Sequence, residues 1–185
     1  MSALPLAELV ATDLRSNLRD RASGLSDVYG FCLWTDDING DFLASLATEE
    51  EFERLRGLPG YASQSDELLF GAKGLRWNVG NWHKFPDDDF MTDKTKAALA
   101  PLAARLVDDS LAERELLAAG ARWRDIAFDV FELVQPLDLL PCAEGAIAFV
   151  EFADARVEER LDVMSRTVPA SRMQALSAEW RTHGW

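Results

Sequence analysis

The sequence is poor in the residues that build metal and nucleophilic sites. It contains two cysteines and two histidines in 185 residues. Cys32 and Cys142 have neither a metal-binding nor a redox spacing, and His83 and His183 lie in no familiar catalytic arrangement with Ser, Cys or an acid. A glycine-rich phosphate loop and a Gly-x-Ser-x-Gly elbow are also missing. The residues therefore predict no metal site, no cofactor and no identifiable catalytic residue.

Long apolar runs and an excess of positive charge are missing as well. No apolar run approaches the roughly 20 residues that cross a bilayer. The first 21 residues mix acids and arginines with leucines, unlike a signal peptide. The net charge of −13 argues against binding to nucleic acid or to anionic membranes, because both need clustered Lys and Arg. We expect a cytoplasmic protein with free thiols and with neither a nucleic-acid nor a membrane partner.

The length and the apolar content predict one folded domain over residues 1–185. Hydrophobic residues make up 48% of the chain, too many for a disordered protein. A chain of 185 residues suits one hydrophobic core, and it shows no internal repeat and no linker.

The acidic residues are concentrated in one part of the chain. Asp27 to Phe70 holds ten acids and two arginines, whereas Gly71 to Pro86 holds three basic residues and no acid. A solvated surface explains such a stretch, and so does a docking face for a basic protein. The sequence leaves both interpretations open.

Hydrophobic spacing predicts the first elements of the fold. Leucines at helical spacing predict an amphipathic helix over Pro5–Ala22. Val28–Thr35 is apolar on both alternating faces, the pattern of a central strand covered on both sides. Asn39-Gly40 predicts a type I′ hairpin turn, since both of its central residues need a positive φ. The partner strand then covers Asp41–Ala47.

The rest of the chain predicts further helices and strands. In chain order these begin with a strand within Glu67–Val79 and helix over Thr92–Ala119, in which Pro101 either kinks the helix or begins a second segment, with a break at Gly120. They continue with a helical stripe from Trp123 to Val134, a strand over Gly145–Phe152, a helix capped by Asp154 and a last helix opened by Pro169. This order predicts an α+β fold, in which helices cover a mostly antiparallel sheet of about four to five strands in a single domain.

An aromatic and basic stretch follows the acidic one. Trp77 alternates with Leu75 and Val79 and should face the core. Trp82 follows Gly80-Asn81, so we expect it on a loop as an exposed anchor, because indole rings carry much of the energy of many interfaces. Stacking of single-stranded bases on this stretch is disfavoured by the net charge.

Several short motifs together resemble one bacterial family. They are an N-terminal helix, an aromatic strand running into Thr35-Asp36-Asp37, a hairpin, a Thr-Glu-Glu-Glu helix start at Thr48, the pair Arg76-Trp77, and a C-terminal strand, Asp and helix ending in Val168-Pro169. The chain resembles, over nearly its whole length, a family of short proteins known as a domain of unknown function, number forty-three-oh-three. Such families resemble the immunity proteins encoded beside polymorphic or contact-dependent toxins. The resemblance implies no catalytic residues.

The first functional hypothesis is therefore an immunity-type protein that neutralises a cognate bacterial toxin by covering its active site. Its acidic face would meet a basic toxin, with the charges exposed and close together on the hairpin tip and the next helix start. The predicted partner-binding residues are Asp36, Asp37, Asp41, Glu49, Glu50 and Trp82.

Two other hypotheses stay open. One is a small hydrolase or nucleotide-processing enzyme that uses Asp36, Asp37 or His83. The other is a structural or regulatory domain without chemistry. The residues favour a binding protein over an enzyme, since no nucleophile or metal set is recognisable.

Overall fold

The computed structural model of the protein describes residues 3–85, 90–153 and 155–183, and the side chains at 83–85 and 157 lie outside that description. The helix cap expected at Asp154 and the side chain of His83 therefore lie outside the described residues.

In the described part of the chain, four strands form one mixed sheet in the order β3-β2-β1-β4. They are β1 (Val28–Asp36), β2 (Asp41–Thr48), the three-residue β3 (His83–Phe85) and β4 (Cys142–Phe152). The central strand β1 pairs antiparallel with β2 and parallel with β4, and β2 pairs antiparallel with β3.

Helices account for most of the remaining described chain. They are α1 (Leu4–Ala22), α2 (Glu49–Arg56), the short α3 (Asp66–Phe70), α4 (Asp93–Leu106), α5 (Glu113–Val134), α6 (Val157–Thr167) and α7 (Ala170–Thr182). Three short 3₁₀ turns cover Leu75–Trp77, Val79–Asn81 and Pro136–Asp138.

The α+β class is confirmed, but the predicted four to five mostly antiparallel strands are not what the structure contains. The sheet has three long strands and one short edge strand, and the pairing of β1 with β4 is parallel. The chain leaves β2 and returns through helices to the far side of β1, and such a crossover allows a parallel pairing.

The strand predicted within Glu67–Val79 is wrong. That segment forms α3 and the two 3₁₀ turns instead. A Cβ at Gly74 would come within 2.9 Å of the backbone of Leu69 and Phe70, so the chain folds tightly back on itself at this point. Trp77 is nevertheless buried, as predicted. Alternating apolar residues over so short a window do not distinguish a strand from tight turns.

The predicted division of the helical region after Thr92 is also wrong in part. Pro101 lies inside α4, and the break falls between α4 and α5 rather than at Gly120, which lies inside α5. A glycine costs a helix interior only about 1 kcal/mol relative to alanine, and burial of a long apolar stripe outweighs that cost. The stripe itself is confirmed, since Trp123, Ile126 and Val130 are fully buried.

Two hydrophobic cores lie on opposite faces of the sheet. The first core packs α1, α4 and α5 against Phe31 and Leu33 of β1. The second packs residues of α2, α3, α6 and α7 against Cys32 of β1 and Phe149 of β4. Because successive strand residues point to opposite faces, β1 is buried on both, which confirms the prediction of a doubly covered central strand.

The hairpin between β1 and β2 differs from the predicted type I′ turn. Gly40 has the expected positive φ of +85°, but Asn39 does not have a positive φ. Asp36 pairs with Asp41 across the hairpin, which leaves four residues in the loop. The Asp36 carboxylate accepts hydrogen bonds from the backbone N–H groups of Ile38 and Asn39, both at 2.9 Å. This Asx-type turn replaces the two-residue turn.

Candidate functional site

The structure separates the predicted acidic cluster into two groups. Asp36, Asp37 and Asp41 lie together at the hairpin tip, whereas Glu49 and Glu50 begin α2 at the opposite end of β2. Since β2 has eight residues, the two groups lie about 23 Å apart along the strand. The expectation that these charges lie close together is therefore wrong, because the strand carries the chain away from the hairpin tip before α2 begins.

Trp82 is buried, so its prediction as an exposed anchor is wrong. Its side chain is 5% exposed, and its indole Nε1 donates a hydrogen bond of 2.9 Å to the backbone oxygen of Arg76. The ring packs edge-on against Tyr29 and Phe149. Gly30 provides the necessary space, since a Cβ there would come within 2.6 Å of the indole. The 3₁₀ turn before Trp82 directs the ring into the second core.

The two α2 acids differ in their surroundings. Glu49 forms a two-bond ion pair with Arg76, whose guanidinium is largely buried, and Glu50 is exposed. Glu49 is therefore engaged in holding α2 to the second core. Glu50 is available to solvent, but far from the hairpin tip.

Asp36 and Asp37 are engaged within the protein. Desolvation raises the pKa of Asp36, but hydrogen bonds from Asn39 and Ile38 together outweigh it, and the net pKa is lowered. The Asp37 carboxylate is 8% exposed and accepts a hydrogen bond of 2.6 Å from Arg124. A carboxylate held in these ways is a poor general base. Within the described residues, no group of three or more His, Cys, Asp or Glu could hold a metal ion.

A largely apolar depression, the hairpin groove, lies between the hairpin loop and α5. Its cavity of about 630 Å³ is lined by Ile38, Leu106, Leu116, Leu117 and the Asp37–Arg124 pair. Ile38 is 54% exposed and Leu117 is 67% exposed, and both are therefore among the exposed large apolar side chains of the protein. The sequence offered no direct indication of this groove, because the predicted helix break at Gly120 placed the Leu116 region outside the helix that follows.

Acids from two elements line this groove. Asp37 belongs to the hairpin loop, and Glu113 lies at the start of α5. Arg124 pairs with Asp37 at 2.6 Å and also lies 4.0 Å from a carboxylate oxygen of Glu159. The hairpin groove thus combines exposed apolar side chains with an acidic rim, which is a common arrangement at protein interfaces.

A second depression, the sheet cleft, lies on the other face of the sheet. Its cavity of about 500 Å³ is lined by Trp34, Leu43, Ser45 and Glu151 from the strands, and by Lys73, Asn78, Val79, Gly80, Ala155 and Arg160 around them. Arg160 pairs with Glu151 at 3.3 Å. Desolvation raises the pKa of Glu151, and Arg160 opposes that shift. Only the parallel pairing of β1 with β4 brings Glu151 beside Trp34, so the sequence alone could not reveal this cleft.

These features define an α+β protein with a mixed sheet covered by helices on both faces, with the hairpin groove and the sheet cleft among its open depressions. A family model described as "Domain of unknown function (DUF4303)" matches residues 10–120, and the chain belongs to that family. No curated protein and no solved structure shows a significant match to the chain. None of the helices in the described residues has the length and hydropathy of a membrane-spanning segment.

Proposed function

We propose that the protein is an immunity-type binding protein that neutralises a basic bacterial toxin by direct contact, and that the hairpin groove is its docking surface. The observation that carries this proposal is the exposure of Ile38 and Leu117 around one groove beside the hairpin acids. Large apolar side chains that stay exposed around a groove mark contact surfaces more often than isolated ones do.

The apolar side chains would provide the holding energy. Full burial of a leucine or isoleucine side chain contributes about 1.5–3 kcal/mol. Ile38 projects from the hairpin loop and Leu117 from α5, so one inserted side chain of a partner could contact both walls. The ion pair between Asp37 and Arg124 fixes the loop against α5 and keeps the groove formed in the free protein. A preformed groove lowers the entropy cost of binding.

The charges would select a basic partner and accelerate its approach. The protein carries a net charge of −13, and the acids Asp37 and Glu113 line the groove. Complementary charge at a rim mainly increases the association rate, and salt screens it. The enzyme alternative finds less support, because the carboxylates of Asp36 and Asp37 are already engaged.

The test is surface-immobilised binding kinetics against the product of the neighbouring gene at two ionic strengths. Glu113→Gln should slow association, and the effect should shrink above about 0.15 M salt. Glu50→Gln is the matched control, since it removes an exposed charge at the other end of β2. Glu50→Gln should change the association rate much less.

Separate variants test how the exposed apolar side chains contribute to binding. Ile38→Ala and Leu117→Ala should each speed dissociation about tenfold with little salt dependence. Leu68→Ala is the matched control, because Leu68 is also exposed (54%) but lies on α3. If the neighbouring product does not bind at micromolar concentration, or binds equally to all variants, the proposed function is wrong.

A further inference from the structure

We propose that the sheet cleft is a second binding site, for a small molecule that combines a planar ring bearing N–H donors with an anionic group. This site lies on the opposite face of the sheet from the hairpin groove and does not depend on the proposed function. Its volume of about 500 Å³ falls in the range of roughly 300–1,000 Å³ that is typical of small-molecule sites.

The floor of the cleft offers a stacking surface. Trp34 pairs with Leu43 of β2 and with Glu151 of β4, so the three side chains are cross-strand neighbours on one face. Trp34 is only partly buried, although the strand residues on either side of it are buried. An indole left accessible in a concave site can stack a planar ring.

The carboxylate of Glu151 supplies the acceptor for the ring. Arg160, which is 11% exposed, donates to the backbone oxygens of Ala72 and Trp77 at 3.1 and 2.7 Å, so its guanidinium is fixed in place. Its contact of 3.3 Å with Glu151 is an ion pair, and Glu151 Oε2 accepts no hydrogen bond from the described residues. Glu151 remains 18% exposed and lines the cavity.

A carboxylate in such a position is under-satisfied. Its Oε2 is buried against Arg160, so a ligand would donate its N–H groups to the part of the carboxylate that lines the cavity, and charge-assisted hydrogen bonds of this kind are strong. Glu151 is the cross-strand neighbour of Trp34, so one ligand ring could stack on the indole and donate to the carboxylate at the same time. Ser45 and Asn78 line the same cavity and offer further hydrogen-bonding groups.

Lys73 supplies the site for the anionic group. It is exposed, lines the cavity, and forms no ion pair with the acids of the described residues. Because Arg160 already compensates Glu151, the charge of Lys73 is left for a ligand. Two classes of molecule combine a planar ring bearing N–H donors with an anionic group. Purine nucleotides carry a phosphate, and indole carboxylates carry a carboxylate.

The experiment is isothermal titration of the full chain with guanosine monophosphate, guanosine and indole-3-acetate. Guanine presents two adjacent N–H donors to a carboxylate, and the indole presents one. The proposal expects at least one anionic probe to bind with a submillimolar Kd. Tighter binding of the nucleotide or of the indole acid identifies the ligand class.

Two variants test the assigned contacts. Glu151→Gln should weaken binding about tenfold or more, since charge-assisted hydrogen bonds are the strong ones. Lys73→Ala should weaken the binding of the anionic probes about threefold and leave the Kd for guanosine unchanged. Leu117→Ala, in the hairpin groove, is the control and should bind all probes like the unaltered protein.

These measurements distinguish a binding site from a cavity that binds no ligand. If Glu151→Gln fails to fold, Lys73→Ala still decides, because Lys73 is exposed and its replacement leaves the cores intact. The proposal is overturned if neither anionic probe binds below 1 mM (about the limit of such a titration). It is also overturned if Lys73→Ala leaves the preference for anionic probes unchanged.

Discussion

The guanidinium of Arg76 binds both carboxylate oxygens of Glu49, at 2.6 and 2.8 Å. The same guanidinium lies 4.0 Å from the ring centroid of Tyr29, and the backbone oxygen of Arg76 accepts hydrogen bonds from Tyr29 and Trp82. One residue thus joins α2, β1 and the 3₁₀ segment. An acid that the sequence suggested for partner binding therefore has a structural role.

Replacement of Glu49 should destabilise the protein. Glu49→Gln leaves the largely buried Arg76 without its ionic partner and should lower the free energy of unfolding by about 1–2 kcal/mol. Glu50→Gln, at the exposed neighbouring position, should change it by less than about 0.5 kcal/mol. Urea denaturation of both variants measures the difference. Equal stabilities would show that the ion pair contributes nothing.

Gly40 should tolerate no side chain. Its φ is +85°, and a Cβ would come within 2.7 Å of the Ala103 Cβ on α4. Gly40→Ala should therefore cost at least about 2 kcal/mol through backbone strain and overpacking. Gly60→Ala is the matched control, because a Cβ at Gly60 meets no atom within 4 Å. If denaturant midpoints of the two variants coincide, the hairpin tip is not packed against α4.

Truncation of Trp82 should affect stability. The ring is buried in the second core, so Trp82→Ala should cost about 3–5 kcal/mol. Ile38→Ala removes an exposed side chain and should change stability by less than about 0.5 kcal/mol. Thermal unfolding followed by circular dichroism compares them. A stable Trp82→Ala variant would contradict the burial of this indole.

The two thiols should be free and differ in reactivity. Cys142 pairs with Val28, four residues from Cys32, which places the two Cα atoms about 13 Å apart, beyond the ~7 Å limit for a disulfide. Burial raises the pKa of both thiols, and Cys32 is fully buried. Cys142 should react slowly with a disulfide reagent, and Cys32 only after unfolding. Intact mass without reductant that shows a Cys32–Cys142 bridge would contradict this.

Asp36 should contribute to stability in a pH-dependent way. Its folded-state pKa lies below its unfolded value of about 3.9, so its contribution is present above that value and is lost as the pH falls through the folded pKa. Asp36→Asn keeps an acceptor for the turn but removes the titration. The stability advantage of the unaltered protein over this variant should shrink between about pH 5 and pH 2. A constant difference in urea unfolding across that range would refute the assignment.

Local pattern in the sequence was enough to predict α1, the central strand and the apolar stripe of α5. Each of these depends on spacing within a few turns or residues, such as Trp123, Ile126 and Val130 on one helix face. The positive φ at Gly40 was predictable for the same reason. Its turn type was not, because the carboxylate of Asp36 reorganises the loop.

The surfaces of the protein depended on contacts between distant parts of the chain. Only the tertiary structure decided that β4 pairs parallel with β1, which places Glu151 beside Trp34. It also decided that Trp82 is buried and that the hairpin acids lie far from α2. Side-chain periodicity determines which face of an element is apolar, but it does not say which other element covers that face. The sequence therefore determined the elements and the acidic charge, and packing across the sheet determined where the grooves lie.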